Sequence, residues 1–312
     1  MLLIVVCAAT ALKSHQFLSI ENFQNTSRLI GMYGIFGIGA GIVIITGGID
    51  LSVGSMFALL GVILAIMLTE KHMSPPLSIL IVVAIGTVLG SFHGFLITKV
   101  KLQPFIVTLC GLLFYRGMAR YIANDETKGF GDAKGFEGLQ KLATENVLGV
   151  QMSFILMVVL AVIMGVVLHR SVYGRYLYAV GRNEEAARYS GINTKRVIAS
   201  AYVLSGLFAA ISGILIAFYT NSISPSSHGN FYELYGIAAA VLGGCSLRGG
   251  EGTIIGIVLG TILLQVLQNL VNLLGIPSSL NFAVMGAVIL LGVLADQLLS
   301  ARSAKRRTSS QG

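Results

Sequence analysis

The chain has 312 residues, of which 55% are apolar and only 11% are charged, against about 25% charged in an average soluble chain. That balance excludes a soluble globular domain and reads as a polytopic membrane protein. The net charge of +8 does not point to nucleic acid, because the basic residues gather in short loops and the tail, where orientation in a membrane accounts for them.

A membrane-spanning helix needs about 20 apolar residues. In chain order, Met1–Leu12 is apolar but too short to span and lacks the basic start of a signal peptide. It reads as a first helix shortened at its beginning, as a misassigned start codon would produce. Nine spans follow, at Leu29–Thr46, Ser52–Thr69, Leu77–Thr98, Leu102–Ala123, Gln151–His169, Val197–Tyr219, Glu233–Leu247, Thr253–Leu274 and Leu280–Leu299. The expected class is all-α, with about ten transmembrane helices forming one domain over residues 1–312. Glycine is abundant (38) and proline scarce (5), which suits close helix packing through small residues. Cys7, Cys110 and Cys245 lie in apolar segments without paired spacing, so neither a disulfide nor a metal site is inferred.

Orientation follows from lysine and arginine. The loop Arg170–Arg196 and the tail 300–312, with Arg302, Lys305, Arg306 and Arg307, are basic and predicted to be cytoplasmic. Tyr219–Tyr232 and Gly275–Ser279 carry no Lys or Arg and fit the outside. Counting back places Lys99 and Lys101 inside and Asn124–Val150 outside. In that outer loop Asp125, Glu126, Asp132, Glu137 and Glu145 outnumber Lys128, Lys134 and Lys141.

The chain also repeats itself at a shift of about 175 residues. The run from Gly31 falls on the run from Gly206, and Gly54, Leu59, Gly61 and Val62 fall on Gly229, Leu234, Gly236 and Ile237. Gly86-Thr87-Val88-Leu89 matches Gly260-Thr261-Ile262-Leu263 with a slip of about one residue, and Gly111 and Gly117 fall on Gly286 and Gly292. A repeat over about 29–123 is therefore expected to return, inverted in the membrane, over about 197–299.

Three stretches stand out. In Thr46-Gly-Gly-Ile-Asp-Leu-Ser-Val-Gly-Ser55, Asp50 is an acid among apolar helices, costing about 2.5–3.5 kcal/mol at mid-bilayer on insertion scales. Gly47, Gly48, Asp50 and Ser52 are candidates for a pore or gate. Equally, Asp50 is suited to cap the following helix. Gly181-Arg-Asn-Glu-Glu-Ala-Ala-Arg-Tyr-Ser-Gly-Ile192 reads as a short helix with Asn183 as N-cap, Glu184 and Glu185 at the positive end of its dipole, and Gly191 as a left-handed cap. It suits a solvated loop or a docking helix. Val241–Thr253 is glycine-rich, but no Gly-Lys-Ser/Thr follows, so it is not a phosphate cradle. A plain helix connection with an Arg248–Glu251 pair is expected there. Gln265, Gln268 or Asn269, and Asn272 form one helical stripe, able to line a hydrophilic path or to hydrogen-bond a neighbouring helix. His93, Arg116 and Arg120 are open to similar readings. No Ser/His/Asp set, paired carboxylates or ligand cluster emerges, so an enzyme, a cofactor or a bound metal is not indicated.

Those three stretches, with the third taken from Ala240, resemble the hallmark segments of ribose-type ABC transporter permeases, a bacterial group serving ribose, xylose, galactosides and related small molecules. The similarity runs from about Leu29 to Asp296. The resemblance implies an inner-membrane pore built from two permease chains, identical or paralogous and surrounded by lipid. It also implies two cytoplasmic ATPase subunits and a periplasmic sugar-binding protein, working by alternating access. Asn183, Glu184, Glu185, Ala186, Ala187, Arg188, Ser190 and Gly191 would then form the coupling helix seated in the ATPase. The binding protein would dock against Asn124–Val150 and Tyr219–Glu233. Cys245 stands where the family often has threonine. The chain has no tryptophan on which a sugar would stack, so selectivity is expected to lie mainly in the binding protein. The rival classes are an ion-coupled secondary transporter with inverted repeats, for which Asp50 would be the coupling acid, and an integral membrane enzyme.

Overall fold

The computed structural model describes residues 7, 10–131, 133, 136–147, 149–277, 280, 283–284, 286–287 and 290. Most of the expected last span Leu280–Leu299, the tail, and most of Met1–Leu12 fall outside them. Eleven α-helices are described in full: α1 Ile20–Ile45, α2 Val53–Thr69, α3 Pro75–Thr98, α4 Pro104–Ala123, α5 Phe136–Thr144, α6 Met152–Arg170, α7 Val172–Arg182, α8 Glu184–Tyr189, α9 Thr194–Thr220, α10 Tyr232–Leu242 and α11 Ile254–Leu273. Six of these (α1, α3, α4, α6, α9 and α11) are long and apolar enough to cross a membrane.

Helices α1 and α9 form the centre. They pack on each other, and their most apolar windows are 83% and 78% buried, against 28%, 28% and 22% for α3, α4 and α6, which leave apolar side chains facing outward. Between lipid-immersed helices there is little hydrophobic drive, so contact rests on close van der Waals approach. The α3–α9 contact shows how this is met: Gly86, Gly90 and Gly94, four residues apart, lie against Gly206, Tyr202 and Ala199. A Cβ at Gly90 would overlap the Tyr202 carbonyl.

Several helix limits differ from expectation, each for a local reason. α1 starts at Ile20 rather than Leu29 because Ser19 caps it, its side chain accepting from Asn22 N at 3.2 Å, and because Glu21, Asn22, Gln24 and Asn25 are polar without being helix breakers. α9 likewise begins at Thr194 under an Asn193 cap. The expected span Glu233–Leu247 is only the short helix Tyr232–Leu242. It stops at Gly243 and Gly244, the latter at φ +89°, and at 11 residues it cannot cross a bilayer.

The expected outer loop Asn124–Val150 carries the helix α5 and short strands, which add a little β structure to the all-α reading. β1 Lys128–Gly129 pairs antiparallel with β4 Ser222–Ile223, and β2 Asn146–Val147 with β3 Val150–Gln151. The first ladder ties the loop after α4 to the loop after α9. Phe130, Phe136 and Phe218 close a small aromatic core beneath it.

Candidate functional site

The polar stretch around residues 170–196 is two helices rather than one short helix in a loop. Ser171 separates α7 from α6, its hydroxyl accepting from Gly174 N at 3.1 Å. Asn183 then ends α7 in extended backbone and at once caps α8, Asn183 Oδ1 accepting from Ala186 N at 2.9 Å. The other end of α8 closes in a two-bond cap: Gly191 N donates to Arg188 O at 3.0 Å and Ile192 N to Ala187 O at 3.1 Å, with Gly191 at φ +85°. A six-residue helix has little intrinsic stability, so caps at both ends are what hold it. Ala187 is its buried anchor, while Asn183, Glu184, Glu185, Ala186, Arg188 and Ser190 are exposed. The Arg188–Glu185 ion pair, 3.5 Å and open to solvent, adds little. Thr194 Oγ1 donates to Glu184 Oε1 at 3.0 Å, fastening α8 to the start of α9. Asn183→Ala is expected to loosen α8 by about 1 kcal/mol, read as faster hydrogen exchange at the Ala186 amide; unchanged exchange would refute the cap.

The three sequence stretches meet at the end of the bundle that carries α7 and α8. Gly250 N donates to Ile45 O at 2.8 Å, and the Tyr178 hydroxyl donates to Gly252 O at 2.7 Å. A Cβ at Gly181 would overlap the Ile45 carbonyl, and one at Gly249 would stand 2.8 Å from the backbone of Gly47. Gly47 and Gly249 also take left-handed φ, +80° and +82°. So the α7–α8 joint is clamped by backbone contact between the α1–α2 and α10–α11 connections. Sequence reading had each stretch but not their meeting. The signal was present as glycine at 181, 249 and 250 beside motif residues.

Asp50 is 3% exposed, and it is held wholly by hydrogen-bond donors. Asp50 Oδ1 accepts from Ser52 N at 3.0 Å and Ser52 Oγ at 2.6 Å, while Oδ2 accepts from Ser205 Oγ at 2.8 Å. The neighbouring Ile49 carbonyl accepts from Tyr202 Oη at 3.3 Å. Among the described residues no cation stands within ion-pair distance of it. Asp50 thus serves an amide at the start of α2 and also ties that connection to α9. The amide it serves belongs to Ser52, the N-cap residue of α2. Tyr202 and Ser205 were not legible as partners, being three residues apart on a helix with no distinguishing motif.

The amide stripe separates. Asn269 pairs reciprocally with Asn22 of α1, Asn22 Nδ2 donating to Asn269 Oδ1 at 3.2 Å and Asn269 Nδ2 to Asn22 Oδ1 at 2.6 Å. Gln265 is buried with Oε1 unpartnered, and Asn272 is exposed. His93 shares a 2.8 Å hydrogen bond with Tyr115. Arg116 donates to the carbonyls of Pro225 and His228 at 2.9 and 2.7 Å and so fixes the α9–α10 connection. Arg120 pairs with Asp125 at 2.6 Å on the surface, and this guanidinium holds the Asp125 carboxyl below its ordinary range. The expected Arg248–Glu251 ion pair does not form; the turn is closed instead by backbone bonds, Ser246 N to Glu251 O and Gly249 N to Ser246 O.

Between α8 and the bundle lies a cavity of ≈ 590 Å³, bordered by Gly47 and Gly48, by Thr98 and Lys101, by Glu184 and Arg188, and by Tyr202. It is a recess of mixed polar and apolar lining beside the Gly47–Gly48 turn.

The family model described as branched-chain amino acid transport system / permease component matches residues 22–293. The chain is 39% identical to the ribose import permease protein RbsC of Bacillus subtilis, covering 96% of this chain and 92% of that one. It is 38% identical to the probable ABC transporter permease protein y4mJ of Sinorhizobium fredii, covering 96% and 88%. It is 32% identical to the xylose transport system permease protein XylH of Escherichia coli, covering 92% and 87%. No solved structure matches the chain.

Proposed function

Because the chain belongs to the branched-chain amino acid transport system / permease component family, we propose that it is the membrane subunit of an ATP-binding-cassette importer for a small sugar of the ribose, xylose or galactose kind. The observation that carries this reading is α8: a doubly capped, exposed helix whose root is wedged between the connections opening α2 and α11. A force applied to α8 from outside the chain would reach both connections through backbone contact, with no soft side chain between. ATP hydrolysis then belongs to a separate cytoplasmic subunit that seats Asn183–Gly191. The chain lies in the bacterial inner membrane as one of two permease copies or paralogues. A periplasmic sugar-binding protein delivers the solute to the end bearing Asn124–Val150 and the Tyr219–Glu233 connection.

Inversion of two halves within about ten helices supports alternating access as the mechanism. In favour of that inversion, the shift of about 175 residues carries α1 onto α9, α2 onto α10 and α3 onto α11. The contacts follow the same rule, α3 packing on α9 as α11 packs on α1. Gly54 and Gly229, which the shift superposes, lie against each other, as residues on a two-fold axis would.

Glu184→Lys with Glu185→Lys is expected to leave insertion and the overall fold intact, since both side chains are exposed and the one interhelix bond lost is that from Thr194 to Glu184, and to cut ATP-driven uptake in proteoliposomes at least tenfold, by analogy with reversing a charge pair at an interface. Normal uptake in that double variant would sink the docking role of α8. Uptake by the wild type that ran on an ion gradient without ATP would overturn the importer assignment itself.

A further inference from the structure

The exposed face of α7 carries Val172, Arg175, Tyr176 and Arg182, with Arg170 ending α6 just before it. Its opposite face, Gly174, Leu177 and Val180, is buried against the bundle. Three arginines thus sit beside two outward apolar side chains, Val172 at 50% exposure and Tyr176 at 40%. Among the described residues none of the three makes an ion pair, and no Asp or Glu occurs in the sequence between Glu145 and Glu184 to balance them. The face follows directly on α6, whose outward Val158, Val159, Val162, Ile163 and Val166 form an apolar strip.

We propose that the exposed face of α7 is a binding surface for anionic phospholipid headgroups of the leaflet on that side. Val172 and Tyr176 reach the acyl boundary, and Arg170, Arg175 and Arg182 hold the phosphates. The chemistry is that of an interfacial amphipathic helix: guanidinium groups chelate phosphate oxygens, and the apolar residues between them anchor the helix below the headgroup plane. A protein groove would be a poor match, because such a partner would have to bury three arginines against its own acids and cover valine and tyrosine that already adjoin a lipid-facing helix. Since Arg182 is followed by Asn183, the cap of α8, lipid held here would fix the base of the lever. The inference rests on the cytoplasmic placement of α7 and α8 used in the proposed function.

The chain has no tryptophan, so Tyr176→Trp places a single, selectively excitable tryptophan on this face. In mixed micelles of the purified full chain, brominated phosphatidylglycerol is expected to quench it at lower mole fraction than brominated phosphatidylcholine, by about fivefold for each arginine engaged. Arg170→Gln, Arg175→Gln and Arg182→Gln together should abolish the preference while leaving quenching by the neutral lipid. Equal quenching by both lipids with the arginines intact would overturn the proposal and leave the α8 experiment untouched. Quenching that vanishes when the ATPase subunit binds would also overturn it, by assigning the face to protein. The comparison of the two lipids needs no arginine variant, so a variant that failed to fold would not remove the test.

Discussion

Gly181→Val is expected to abolish ATP-driven uptake and to lower the thermal unfolding midpoint of the purified chain. The Cβ alone would overlap the Ile45 carbonyl and stand 2.5 Å from Gly250 N, which itself donates to that carbonyl at 2.8 Å. Backbone atoms meet it on both sides, so no rotamer relieves the clash. Either the Gly250–Ile45 bond breaks or α7 withdraws from the bundle. The cost therefore lies at or above the roughly 1–3 kcal/mol of ordinary overpacking. The matching control is Gly117→Ala in α4, where an added Cβ meets nothing within 4 Å and uptake and melting should stay near wild type. If Gly181→Val melted and transported like the wild type, the junction would not be the path from α8 to the two connections.

The second large effect is at Asp50. Asp50→Ala removes the acceptor for Ser52 N, Ser52 Oγ and Ser205 Oγ together, in a site 3% exposed to solvent. Hydrogen bonds to a charged group are worth roughly 1.5–3 kcal/mol each, and part of that is recovered as the serine hydroxyls turn to nearby carbonyls. A net loss of about 2–3 kcal/mol, with uptake reduced by tenfold or more, is the expected outcome. Asp50→Asn separates charge from geometry. Its amide oxygen can keep the Ser52 bonds, and its NH2 can donate to Ser205 Oγ, so stability should return close to wild type. We expect uptake to return with it, because both carboxylate oxygens are held by donors and, among the described residues, Asp50 makes no ion pair. An Asp50→Asn protein that folds normally but fails to transport would instead make the charge itself functional, as an ion-coupled carrier requires.

Much of this could be read from the chain, and the exceptions are instructive. Apolar runs marked α2, α3, α4, α6 and α11 to within a few residues, since an unbroken apolar run carries its own limits. The same rule misjudged α1, whose first turns are polar, and α10, where a glycine pair stops a helix that hydropathy would continue. Residues 183–191 declared a helix through cap chemistry, because caps act within one turn and need no tertiary partner. α7 was missed for the opposite reason. Its buried face, Gly174, Leu177 and Val180, is too sparse to announce itself until the bundle is there to cover it.

By itself, then, the sequence determined the class of molecule, the local form of α8 and the three stretches that matter. Hydropathy, capping and charge bias are properties of neighbouring residues. Only the tertiary structure decided that those stretches touch, that Asp50 answers to Ser205, that Arg116 holds Pro225 and His228, and that the amides of α11 divide between a helix contact and the surface. Each of those is a contact between residues far apart in the chain. It is fixed by how closely glycine-lined helices can approach, and no single stretch encodes that distance.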